Sequence, residues 1–261
     1  MLTERSARVV AAVKLQRHVG RRRAGRFLAE GPNLVEMASA RGLIREVFVT
    51  GAAADRHAPL LASVNAPVHV VTDRAAKALS DTVTPAGLVA VCEVPDTRLQ
   101  DSLSGVSRLV AVAVGIGEPG NAGTLIRLAD AMGAGAVVFA GNSVDPYNGK
   151  CLRASAGSIF SVPVVVEPDA EAAVAALATA GLQVLAATVD GEVRLDQADE
   201  FLAAPTAWLF GPEAHGLPAE LTASADHRVR IPMGGGAESL NVASAASICL
   251  FQSARALGCL R

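Results

Sequence analysis

RLVAVAVGIGEPGNAGTLIRLADAMGAGAVVFAG, residues 108–141, decides the fold class. Leu109 to Val114 is an unbroken apolar run, which predicts a strand buried on both faces. Asn121 to Met132 has helical spacing of its apolar residues, and Ala136 to Ala140 is a second apolar run. Two buried strands joined by a helix form a parallel βαβ unit, so the class is α/β.

Outward from this stretch the alternation continues. Val162–Val166, Leu182–Thr188, Ala207–Phe210 and Val229–Ile231 read as strands, Ala170–Ala180 and Glu238–Leu257 as helices. Upstream, residues 2–19 suit an amphipathic helix with Val9, Val10, Val13 and Leu15 on its apolar side. Phe27 to Gly31 leads into a helix over Pro32–Ala40, and Val47–Val49, Val68–Val71 and Gly87–Val94 read as strands. PDTRLQDSLSGVSR (95–108) lacks periodicity. The expected division is a small α/β domain over 1–95, a linker over 96–107 and a larger domain over 108–261.

With 51% hydrophobic and 18% charged residues, the 261-residue chain has ample material for packed cores. No apolar run approaches the roughly 18 residues of a membrane span, and no apolar signal core follows Glu4, so a cytoplasmic protein is expected. Cys92, Cys151, Cys249 and Cys259 have no metal-ligand spacing, and no metal site is expected. The net charge of −2 conceals a segregated basic start: residues 1–26 carry eight basic side chains against one acid. Such an arm suits a phosphate backbone, and the planar guanidiniums of Arg21, Arg22, Arg23 and Arg26 suit it best. A solvated helix end would explain the same charges about as well.

Gly115-x-Gly117-x-x-Gly120 follows a strand and opens a helix, as in dinucleotide-binding domains. Two features oppose a nicotinamide or flavin oxidoreductase. The second strand runs into Gly141-Asn142 without the acid that would hold a ribose, and Pro119 removes a backbone donor from the turn.

Three further segments stand in order: EPGNAGTLIRLADAMGA (118–134), LFGPEAHGLP (209–218) and IPMGGGAESLNVASAASICLF (231–251). With KCLRASAGSIFSVP (150–163) between the first two, they resemble the SpoU (TrmH-like) family of RNA 2′-O-ribose methyltransferases across 108–257. RFLAEGPNLVEMA (26–38) is similar to the start of the small L30e-like substrate-binding domain of many members. Glu118 departs from the aspartate more usual before the proline.

The resemblance implies an α/β-knot (trefoil-knotted) catalytic domain with a parallel sheet, S-adenosylmethionine as cofactor and a homodimer. It implies an RNA substrate, ribosomal RNA favoured over transfer RNA, since the layout is similar to ribosomal enzymes including the thiostrepton-resistance branch. By resemblance Thr188, Gly211, Ile231 and Leu240 contact the cofactor, with Leu209 and Met233 adding to an apolar wall. Close backbone approach would explain Gly211, Gly216 and Gly234–Gly236.

In the family the arginine matching Arg127 stands at the ribose hydroxyl. A guanidinium is effectively always protonated, so phosphate anchoring or stabilisation of the developing alkoxide is its expected role, with the proton acceptor left open. Arg127 is expected near the start of its helix, facing the pocket. Asn121, Glu213, Ser239 and Asn241 would orient Arg127, the ribose and the catalytic loop, Ser239 doubling as a helix N-cap. Arg153 is a phosphate contact by the same reading. The rival reading from another class is a non-catalytic RNA-binding protein on the same fold. It would not need Asn121, Arg127, Glu213, Ser239 and Asn241 together.

Overall fold

The computed structural model describes residues 1–103 and 108–260. The chain forms two compact units: Met1–Asp96 with Tyr147–Phe160, and Thr97–Pro146 with Ser161 onward.

In the first unit, β1 (Arg26–Glu30), β2 (Ile44–Thr50), β3 (Val68–Val71) and β4 (Leu88–Glu93) form a mixed sheet in the order β1-β4-β2-β3. β4 is antiparallel to both neighbours, and β2 and β3 are parallel. Phe48, Val71, Leu79, Val89 and Val91 make one core with Val9, Ala12 and Leu15 of the N-terminal segment. That segment is not one helix over 2–19. It is a helix Ala7–Val13, a 3-10 turn Lys14–Gln16 and a second helix His18–Ala24, broken where Arg17 is extended. The break frees carbonyls that a continuous helix would have bonded. Arg21 turns inward and its Nη1 donates to Leu15 O (3.0 Å) and Gln16 O (2.9 Å). Val10, expected on the buried side, is exposed. β1 was not expected from the sequence; Phe27 and Ala29 bury one side of it at strand spacing.

The second unit is a seven-stranded sheet of β5 (Leu109–Val114), β6 (Ala136–Ala140), β7 (Val164–Glu167), β8 (Gln183–Ala187), β9 (Val193–Arg194), β10 (Thr206–Phe210) and β11 (His227–Arg230). The order is β7-β6-β5-β10-β8-β11-β9, and every neighbouring pair is parallel. One face buries Val110, Val112, Ala207 and Leu209 with Val174 and Leu177 of the helix Ala170–Thr179. Each fully buried Val or Leu contributes roughly 1.5–3 kcal/mol. The helices Pro119–Ala131 and Val242–Ala256 cover the other face, where Trp208 Nε1 donates to Ser253 Oγ at 2.8 Å in full burial.

Two boundaries differ from the sequence reading. Residues 96–107 were expected to be a linker, but Leu99–Leu103 is a short helix whose Leu99 joins the core of the second unit; residues 104–107 lie outside the described residues. Residues 147–160 pack with the first unit instead of the second. Phe27 meets the rings of Tyr147 (5.0 Å) and Phe160 (6.2 Å), Asn33 Nδ2 donates to Ala156 O (3.1 Å), and Arg153 forms a two-pronged ion pair with Asp81.

Candidate functional site

A concavity of about 1080 Å³ in the second unit opens at the carboxyl ends of β8, β10 and β11. This is where loops after parallel strands normally build binding sites. Its walls are the segments after those strands: 188–192, 211–217 and 231–240.

Thr188, Gly211, Ile231, Met233 and Leu240 line it, five of the six residues expected around a cofactor. Leu209 does not. Side chains alternate along a strand, so Leu209 points into the core beneath the sheet while Phe210 reaches the pocket. Thr188 Oγ1 is buried with no hydrogen-bond partner among the described residues, a polar atom left for something inside the pocket. Gly211 is required by close approach: a Cβ there would stand 2.7 Å from the backbone of Gly216 and Leu217. The run Gly234–Gly236 has open space at all three positions and no left-handed φ, so close approach does not explain it.

Beside the pocket Glu213 ties three segments together. Its Oε1 accepts from Asn241 Nδ2 (2.8 Å), Asn121 Nδ2 (3.1 Å) and the backbone N–H of Val242 (3.1 Å). Asn241 Nδ2 also reaches Asn121 Oδ1 at 3.1 Å. Thus the loop after β10, the first turn of Pro119–Ala131 and the N-terminus of Val242–Ala256 meet on one carboxylate oxygen. The last helix begins at Val242 rather than Glu238, and its N-cap is Asn241, whose Oδ1 accepts from Ala243 and Ser244 N–H. Ser239 is therefore not the cap; it is exposed on the pocket wall.

Arg127 is exposed and has no hydrogen-bond or ion-pair partner among the described residues. It stands past the middle of its helix rather than near the start, and it is not part of the pocket wall. Arg153 is engaged by Asp81. Arg21, expected at RNA, is only 6% exposed and holds backbone carbonyls, whereas Arg22, Arg23 and Arg26 are exposed.

Two features of the site were not read from the sequence. Glu118 caps the helix Pro119–Ala131, accepting from Asn121 N–H at 2.7 Å, and its carboxylate fills the space a Cβ at Gly120 would need. The helix N-terminus that a dinucleotide phosphate would occupy already holds a carboxylate, which removes the dinucleotide reading. On the pocket rim, the backbone N–H and guanidinium of Arg228 bond Glu192 and hold its carboxyl below the ordinary range. Among the described residues no cluster suits a metal ion, and no helix is long and apolar enough to cross a membrane.

The SpoU rRNA Methylase family model matches residues 108–251, and that of the MRM3-like substrate binding domain matches 7–90. The chain is 32% identical over 242 residues to the 23S rRNA (guanosine(2553)-2'-O)-methyltransferase RlmP of Bacillus subtilis, covering 91% of this chain and 92% of that protein. The SpoU methyltransferase AviRb from Streptomyces viridochromogenes, solved in complex with AdoMet, superposes with a TM-score of 0.87 at 30% identity, covering 98% of this chain and 100% of that one. The AdoMet-bound rRNA methyltransferase from Sinorhizobium meliloti gives 0.85 at 29% identity, over 96% and 95% of the two chains. With the polar cluster, the pocket and both family models in register, the chain belongs to the SpoU rRNA methylase family.

Proposed function

We propose that this protein transfers a methyl group from S-adenosylmethionine to a ribose 2′-hydroxyl of 23S ribosomal RNA in the cytoplasm. The observation that carries the reading is the joining of Asn121, Glu213 and Asn241 at the rim of a pocket lined by Thr188, Gly211, Ile231 and Leu240. The pocket suits the cofactor: the unpaired Thr188 Oγ1 offers adenosine a polar contact, Gly211 brings backbone close, and Ile231, Met233 and Leu240 supply apolar surface. When bound, S-adenosylmethionine supplies an electrophilic methyl group. The names of RlmP and of the AdoMet-bound relatives support both the cofactor and the ribosomal substrate.

Arg127, free and exposed, anchors phosphate or stabilises the developing alkoxide in this reading. Arg22, Arg23 and Arg26 hold the RNA backbone. Pairing as a homodimer belongs to the proposal and is supported by Ile248 and Phe251, apolar and exposed one turn apart on the last helix. So does the threaded C-terminal segment of the knot, supported by β11 lying between β8 and β9 before the chain returns along the pocket.

The test is methylation of RNA from cells lacking the gene, followed by mapping of 2′-O-methyl groups. One new site in 23S RNA, with S-adenosylmethionine but not NAD raising the melting temperature, is expected. Absence of any methylated ribose, with the cofactor bound, would favour the RNA-binding rival.

A further inference from the structure

We infer that Glu213 Oε2 receives the proton of the attacking ribose hydroxyl. The inference rests on the function proposed above and assigns the proton acceptor that reaction requires.

The Glu213 carboxylate is asymmetric. Oε1 is saturated by three donors, from Asn121, Asn241 and the Val242 N–H, while Oε2 has no partner among the described residues. Three bonds to one oxygen fix the plane of the group, so Oε2 has one direction. Glu213 also lines the pocket, within the same loop as Gly211. A base contributes to rate only when it is held in place, and a fixed, unoccupied carboxylate oxygen meets that condition.

The other candidate groups do not. Glu192 and Asp190 face Arg228, at 2.8 Å and 3.7 Å. Glu118 at the head of the facing helix is spent on the Asn121 N–H. His215 and Glu238 are exposed and have no bond that would orient them. Arg127 is a guanidinium, which has no lone pair to offer a proton.

The step balances without any further reactant. As the ribose oxygen bonds to the methyl carbon, its proton passes to Glu213 Oε2 and the carbon–sulfur pair returns to sulfur. The products are 2′-O-methylribose, S-adenosylhomocysteine and a neutral carboxyl. Glu213 is exposed, so the proton then leaves to solvent.

Glu213→Gln separates this role from positioning. Its amide oxygen can still accept from Asn121, Asn241 and Val242, but the amide cannot take a proton. Calorimetry is expected to give S-adenosylhomocysteine and RNA affinities within about twofold of the native protein, while single-turnover methylation falls at least about a hundredfold. Methylation within tenfold of native, or a fall matched by an equal loss of RNA or cofactor affinity, would overturn the inference. A second readout does not need that variant to fold. Loss of rate on acidification of the native protein is expected to persist in His215→Ala; its disappearance would move the base to His215. A native protein that binds cofactor yet methylates no RNA would instead defeat the underlying reading.

Discussion

Arg127 and Arg21 show how differently one residue type behaves under one fold. Arg127 is free at the surface of a helix whose first turn carries Asn121. Arg127→Ala is expected to lower single-turnover methylation by about a hundredfold, the usual cost of one preorganised charge contact. Cofactor affinity and melting temperature are expected to stay near native. Lysine is expected to rescue poorly, because a point charge does not reproduce a planar fork. Near-native turnover of Arg127→Ala would remove it from the reaction. Trp208 offers a convenient probe of cofactor binding, since it stacks at 6.1 Å on Phe210, which lines the pocket. The thiols of Cys92 and Cys249 are deeply buried, which pushes the Cys92 thiol up to about 12 and that of Cys249 up as well, so neither is a nucleophile here.

Among the elements, the basic N-terminal segment departs most from a free arm. Val9, Ala12 and Leu15 belong to the core of the first unit, and Leu2 pairs with Val71. Deleting residues 1–26 would therefore unfold the unit and could not isolate a charge effect. Replacing Arg22 and Arg23 with glutamine is the cleaner test. It is expected to reduce the slope of log affinity for RNA against log salt by about one per lost phosphate contact, with the melting temperature unchanged. Arg21→Ala is expected to do the reverse. It leaves two carbonyls without their donor, costs about 1–3 kcal/mol of stability and leaves the salt slope nearly native. An unchanged slope after the Arg22 and Arg23 substitutions would make the helix a solvated surface.

Across the whole molecule, the chain leaves the second unit at Pro146 and returns at Ser161. The fragment 108–261 contains every lining residue of the pocket, yet it removes the packing partners of 147–160: Phe27, Asn33 and Asp81. That fragment is expected to melt well below the full chain and to bind an apolar-surface dye, while retaining residual S-adenosylmethionine affinity. A fragment as stable as the full chain, with native affinity, would show that 147–160 does not need the first unit.

Sequence alone determined the α/β class and the parallel sheet of the second half. Buried parallel strands must be apolar throughout, as LVAVAV and AVVFA are, so their signal survives any tertiary arrangement. Asn121, Glu213 and Asn241 are legible through the resemblance of their three segments to the SpoU motifs, and the structure brings them onto one carboxylate oxygen. Only the tertiary structure decided that Leu209 is core and Phe210 pocket, that Asn241 and not Ser239 caps the last helix, and that Arg21 faces inward. It also decided that 147–160 belongs with the first unit. Each of these depends on which of several equally suitable partners lies within a few ångströms. Local propensity does not encode that choice; it is set when segments far apart in the chain, such as 121, 213 and 241, are brought onto one carboxylate oxygen.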